Sequence, residues 1–241
     1  VFPPYKGGIG NVASHFSRLL ADKGHQITVF TLSQPEEGKT GPSPENFRIV
    51  RLHPWLRAGF GALEPRLFYD LDGFDLVYLH YPFFGANEVL WLKKKLHGRS
   101  FKLAIHYHMD VTQAGIARRL LALPSRLAKN SLFGSADLVT AANLDYLLHS
   151  GIRGQYDREP GKFCIIPFGV DIERFQPALQ TRTGKPDILF VGGLDQAHYF
   201  KGLHILMQAI APIKQTINRL TIVGDGGLRP YYQDLAGRLG I

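Results

Sequence analysis

The sequence predicts an α/β chain built from two Rossmann-like halves, each a parallel sheet with helices packed on it. Three observations predict it. Short apolar runs alternate with helix-period segments along the whole chain, the signature of βα units. A glycine-rich turn stands at a helix start in each half, Gly7-Gly8 in the first and Gly192-Gly193 in the second. Between the halves, Asp171 to Lys185 is polar, holds Pro177 and Gly184, and reads as a linker.

Taken in order, the loop Phe2 to Asn11 leads into a helix carrying Val12, Phe16, Leu19 and Leu20 at helical spacing and ending near Lys23-Gly24. Strands are expected at Ile27–Leu32 and Phe47–Leu52, with a polar connection between them. Trp55 to Leu71 reads as loop with some helix. Asp75–Leu79 is a strand ending in His80-Tyr81-Pro82, Ala86–Leu96 an amphipathic helix, and Phe101–Tyr107 a further strand. Helical segments fill Gln113 to Phe133. Leu138–Ala141 is a short buried strand, Asn143 caps the helix running to Ser150, and Phe163–Pro167 closes the first half. In the second half Ile188–Val191 suits a strand covered on both faces. The helix Leu203–Ile210, the strand Leu220–Val223 and the helix Arg229–Leu239 follow. The domains are therefore expected at residues 1–176 and 177–241.

At 241 residues with 45% hydrophobic and 20% charged residues, the chain can bury a sizeable core. The net charge of +8 is spread along it. Its densest run, Lys93-Lys94-Lys95, sits at a helix end, where a solvated face or pairing with the helix dipole explains it. No basic stripe interleaved with aromatics supports nucleic acid as a partner; phosphate-bearing ligands or an anionic membrane surface fit the charge. The single cysteine, Cys164, allows no internal disulfide and lies in the apolar run Phe163 to Ile166, so it is expected to be buried. No apolar run approaches the roughly 18 residues of a membrane span.

Two stretches carry chemistry. His106, His108 and Asp110 alternate, so on a strand they share a face. They suit a zinc or iron site of a metal-dependent hydrolase, a single working histidine at a strand's C-terminal end, or one buried and one exposed structural histidine. His80 ends another strand and is expected to pack under the Pro82 loop, or to line the same crevice. In the second half, Lys201 and Gly202 open the helix that follows the Gly192-Gly193 turn, so a cation and free N–H groups converge on a plausible anion site. An ordinary turn with a solvated lysine is the competing reading. Together the halves suggest a cleft between two nucleotide-binding-like domains.

Four motifs in order resemble the family 4 glycosyltransferases of the GT-B fold. Pro4-Tyr5-Lys6-Gly7-Gly8-Ile9-Gly10 is similar to that family's first glycine loop, and His108-Met109-Asp110-Val111 to its segment bearing an active-site histidine. Ile165-Ile166-Pro167-Phe168-Gly169-Val170-Asp171 with Phe175 resembles its interdomain signature. Leu189 to Asp195 with Lys201-Gly202-Leu203, then Val223-Gly224-Asp225-Gly226, resembles the start of its donor domain. The resemblance implies transfer of a sugar from a nucleotide-sugar donor to a glycan or lipid-linked acceptor, usually with retention of configuration and with no metal or other cofactor. It implies a cytoplasmic protein, with peripheral contact at the inner membrane face permitted. Gly7, Gly8, Gly192 and Gly193 would approach substrate through backbone N–H groups. His108, beside Asp110, would sit at the reacting sugar, and Lys201 would neutralise the departing diphosphate. Two departures stand out: Gly193 replaces an arginine usual in the family, and the Glu-x7-Glu segment of the donor domain is absent. The resemblance therefore implies a piece of a longer enzyme, lacking the first strand and most of the donor domain. A non-catalytic sugar- or partner-binding module is the alternative.

Overall fold

The computed structural model describes residues 2–3, 7–33, 46–58, 61–98, 100–110, 123–173, 175–177 and 184–241. It divides into two compact units, Val1–Val170 and Asp171–Ile241.

The first unit opens with helix α1, Gly8–Asp22. Its end is set by Gly24, whose φ of +89° no side-chain-bearing residue adopts readily. There the Gly24 N–H bonds Ala21 O and the His25 N–H bonds Leu20 O, a Schellman closure that satisfies two orphan carbonyls. Strands β1 (Thr28–Leu32) and β2 (Arg48–Leu52) then pair in parallel, Phe30 opposite Val50. The segment read as loop with some helix contains an antiparallel hairpin, β3 (Leu56–Ala58) with β4 (Gly61–Leu63), before the short helix α2 (Leu67–Asp70). Strands of three residues are too short to display an alternation that could announce them.

Four further strands form one parallel sheet in the order β5 (Leu76–Tyr81), β6 (Lys102–Tyr107), β7 (Leu138–Ala141) and β8 (Phe163–Ile165). Around it lie α3 (Ala86–Leu96), α4 (Leu123–Ser135), α5 (Leu144–Leu148) and α6 (Arg153–Arg158). The part of the expected Gln113–Phe133 helical stretch before residue 123 lies outside the described residues. Asn143 caps α5, its side-chain oxygen accepting the Tyr146 N–H at 3.1 Å. The centre of the sheet explains why β6 is continuously apolar: every residue from Leu103 to Tyr107 is buried, as both faces of an inner parallel strand require. Leu79, Leu90, Leu103, Ile105, Leu132, Phe133, Val139 and Leu147 meet in one core. Each such side chain contributes about 1.5–3 kcal/mol on burial.

Two expectations fail here for tertiary reasons. Lys93 and Lys94 are not solvated. Lys93 is 1% exposed and its ammonium donates to Phe68 O and, at 2.6 Å, to Asp72. The Lys94 ammonium donates to Gly98 O and Phe101 O and lies 3.1 Å from Asp137. Asp137 also accepts the Leu103 N–H and the Lys102 ammonium. Burial alone raises its pKa, but these donors outweigh it and hold the carboxyl down at about 2. Cys164 is exposed, because it lies on β8, the outermost strand of its sheet.

Among the described residues no backbone pairing joins the β1–β2 pair to the four-stranded sheet. The free edges of β1 and β5 border a cavity of about 730 Å³, lined by Ile9 and Phe16 of α1, Val29 of β1, Tyr78 and His80 of β5, and Pro82.

The second unit pairs β9 (Asp187–Val191) with β10 (Arg219–Val223) in parallel and carries α7 (Leu203–Ile210) and α8 (Arg229–Leu239). Leu194, Leu203, Met207, Tyr232 and Leu235 form its core. The strand expected to be covered on both faces is covered on one: Leu189 and Val191 alternate with the packed residues and stand exposed. Among the described residues no helix is long and apolar enough to cross a membrane.

Candidate functional site

In the first unit, strand register gathers residues far apart in sequence. In the parallel pair of β5 and β6, His80 lies opposite His106, and on the other side of β6, His106 lies opposite Thr140. His108 follows two residues beyond His106, where its N–H still bonds Tyr81 O at 3.1 Å. Side chains two apart on a strand share a face, and the three imidazoles form one cluster. Ring centroids are 4.5 Å apart for His106 and His108, 5.2 Å for His80 and His108, and 5.8 Å for His80 and His106. His80 Nδ1 and His108 Nε2 are hydrogen-bonded at 2.9 Å. Phe16 of α1 meets His80 edge-on, and Phe168 stacks on His108 at 5.7 Å.

His106 is the structural member. It is fully buried, and its Nδ1 lies 2.8 Å from Thr140 Oγ1 and 3.3 Å from Tyr78 OH. Burial holds all three rings far below the ordinary histidine range. His106 falls to about 4; His80 and His108 fall to about 3, where neighbouring imidazoles add to the effect of burial. At neutral pH these are uncharged rings. They can donate or accept a hydrogen bond, but they cannot serve as resident cations. His80 therefore belongs to the cluster instead of merely packing under the Pro82 loop.

Asp110 turns away from this face. Its carboxylate accepts the Gly151 N–H at 2.7 Å and lies 3.7 Å from the Lys129 ammonium, while its own N–H donates to Tyr146 OH. His106, His108 and Asp110 thus do not combine into a ligand set, and among the described residues no group of three His, Cys, Asp or Glu is arranged to hold a metal.

At the start of α1, Gly7 is the N-cap in extended conformation, and its carbonyl accepts the Asn11 N–H at 3.0 Å. Space around Gly8 is open: a Cβ there would meet nothing within 4 Å. Pro4, Tyr5 and Lys6 of this loop lie outside the described residues, as does Val111 of the histidine-bearing motif.

In the second unit the chain leaves β9 through a tightly held turn. The Gly192 N–H bonds Val223 O at 3.0 Å and the Leu194 N–H bonds Asp225 O at 2.8 Å. A 3-10 helix over Gln196–Lys201 follows, and Gly202, with φ +73°, redirects the chain into α7. The 3-10 helix folds the exposed Lys201 back over the turn, so that a Cβ on Gly192 would lie 3.3 Å from the Lys201 ammonium. A Cβ on Gly193 would lie 2.6 Å from His198 Nδ1. His198 is itself anchored, Nδ1 bonding Asp195 Oδ1 at 2.8 Å and its N–H bonding the same oxygen at 3.1 Å. Sequence reading singles out Lys201 and both glycines but not His198, which the structure places beside them. The signal was the three-residue spacing of His198 and Lys201, which a 3-10 turn stacks on one side. The sequence shows Phe168 in a motif without placing it against His108, and it does not give the pairing of His80 with His108, which strand register supplies.

Comparison with known proteins gives one direction. The family described as Glycosyltransferase Family 4 matches residues 6–174. O-antigen chain mannosyltransferase C of Escherichia coli is 29% identical over 238 residues, which cover 94% of this chain and 59% of that protein. D-rhamnosyltransferase WbpZ of Pseudomonas aeruginosa is 30% identical over 174 residues, covering 69% and 41%. A D-inositol 3-phosphate glycosyltransferase of Stackebrandtia nassauensis is 24% identical over 271 residues, covering 98% and 60%. The chain thus spans three-fifths or less of the length of these curated relatives.

Proposed function

Since this chain belongs to glycosyltransferase family 4, we propose that its protein transfers a sugar from a nucleotide-sugar donor to a glycan or lipid-linked acceptor, with retention of configuration. The observation that carries this reading is the ammonium of Lys201 lying back over the Gly192-Gly193 turn. When a glycosyl bond to a diphosphate breaks, negative charge grows on the leaving oxygens. A cation and backbone N–H groups already in place meet that charge without reorganising. The reading assigns this task to Lys201 and no metal ion, and gives Gly192 and Gly193 close backbone approach to the phosphates. Gly7 and Gly8 have the same role at the start of α1, where the open space beside Gly8 admits a ligand.

His108 takes a different part. Kept uncharged by burial and held at Nε2 by His80, it suits a hydrogen bond that orients a sugar hydroxyl, and it carries no charge of its own to the reaction. Asp110, bound to Gly151 N–H and near Lys129, fixes the segment that follows His108. The names of the relatives make mannose and D-rhamnose the first donor sugars to try. The net charge of +8 supports peripheral contact with an anionic membrane face, where a lipid-linked acceptor would be met.

The test is Lys201→Ala. Loss of one charge-assisted contact is expected to weaken nucleoside-diphosphate binding about tenfold, as read by calorimetry with a panel of nucleoside diphosphates. Unchanged affinity across the panel overturns the role given to Lys201.

A further inference from the structure

The turn that carries Lys201 holds a second side chain with the chemistry of an anion ligand. The imidazole of His198 lies flat against Gly193: a Cβ built there would be 2.6 Å from Nδ1, 2.9 Å from Cγ and 3.1 Å from Cε1. Real Cβ atoms do not approach a ring so closely, so any side chain at 193 would displace the histidine. Asp195 fixes the ring from the other side, accepting from both the His198 backbone N–H and the ring nitrogen Nδ1. With Nδ1 engaged, the remaining nitrogen is Nε2, and the side chain is 42% exposed, open to a ligand. Lys201 occupies the same relation to the neighbouring glycine, its Cδ 3.0 Å and its ammonium 3.3 Å from a Cβ on Gly192. His198 and Lys201 are three apart in one 3-10 helix, where residues at that spacing eclipse, so both side chains leave it on the same side.

We infer that His198 is a second phosphate-contacting group at this turn, and that Gly193 has no side chain because the His198 ring occupies its place. The inference rests on the reading of the Lys201 turn as a diphosphate site, and it adds a residue to that site. Its ligand chemistry is a diphosphate, contacted by the Lys201 ammonium and by Nε2 of the His198 ring, whose Nδ1 is held by Asp195. Asp195 is then a positioning residue, acting through His198.

The test is a double-mutant cycle read by titration of inorganic pyrophosphate into this chain, with thermal melts checking that each variant folds. His198→Ala is expected to weaken binding about tenfold. Gly193→Ala, which leaves His198 in the sequence but pushes its ring aside, is expected to weaken it by a similar factor. The double variant is expected to be no weaker than either single one, because both changes remove the same contact. His198→Gln, which keeps a donor near the Nε2 position, is expected to retain part of the affinity. It also serves as the readout should His198→Ala fail to fold. If Lys201→Ala weakens binding while His198→Ala and Gly193→Ala do not, the inference is overturned and the Lys201 reading stands. Should no substitution alter binding, both fall. Additive losses from His198→Ala and Gly193→Ala overturn the claim that they share one space.

Discussion

The two glycine-bearing turns resemble each other in sequence and differ in their surroundings. At the start of α1, Gly8 has open space where its side chain would be. In the second unit nearly every glycine of the turn is crowded. A Cβ on Gly224 would run into the Gly192 carbonyl oxygen, one on Gly226 into the Leu194 backbone, and one on Gly193 into His198. Gly226 in addition has φ +153°. Crowding means that the fold itself excludes a side chain, whereas packing sets no such limit at Gly8. One turn is required by packing, and the other is free of that demand.

The largest effect that could break this contrast comes from Gly224→Ala. Forcing a methyl group into a backbone oxygen is expected to cost about 3 kcal/mol, read as a lower urea midpoint for the second unit. A midpoint unchanged from the parent would show that the turn can relax and that its crowding means little.

The units also differ in charge: the first keeps its cluster of His80, His106 and His108 neutral, while the second displays the exposed Lys201. The pKa values of His80, His106 and His108 are depressed to between about 3 and 4 in the folded chain, against about 6.5 when unfolded. The unfolded state therefore binds more protons over that interval. Stability from these groups is fully present above about pH 6.5 and is lost as pH falls toward their folded values. One histidine that stays neutral contributes about 2 kcal/mol of loss between pH 7 and pH 5. Urea titrations at the two pH values, followed through the histidine NMR signals of the first unit, check this. Equal stability at both would mean that the cluster takes up protons without unfolding.

The smallest effect is the sharpest discriminator. Gly8→Ala adds a methyl group to open space in a helix, so it is expected to leave stability unchanged or raise it by up to about 1 kcal/mol. A loss comparable with that of Gly224→Ala would erase the difference between the turns.

Much of this fold is legible in the sequence because its elements announce themselves locally. Ala86–Leu96, Leu203–Ile210 and Arg229–Leu239 carry the helical period over two turns or more, and Leu138–Ala141 is closed by the cap at Asn143. What stayed hidden depends on distant partners or on short pieces. The hairpin of Leu56–Ala58 and Gly61–Leu63 and the helix Arg153–Arg158 are too brief to show a period. Lys93 and Lys94 read as solvated because nothing nearby in sequence reveals Asp72 and Asp137, their partners across the fold. Cys164 read as buried because an apolar run does not say whether its strand is inner or outer. The alternation of His106 and His108 was visible, but the addition of His80 needed the register of a parallel pair, which a single sequence does not encode locally. Gly193 and Lys201 were visible too, whereas the ring against Gly193 is a matter of three-dimensional crowding.

The place of β6 in its sheet has a consequence for hydrogen exchange. β6 is paired on both sides, with β5 and with β7, whereas β8 is the outermost strand. Amides of an inner ladder open only when a large part of the unit opens, while those of an outer strand open in smaller fluctuations. Deuterium should therefore enter the amides of Phe163–Ile165 well before those of Lys102–Tyr107. The histidine cluster then rides on the slowest-exchanging strand of its unit.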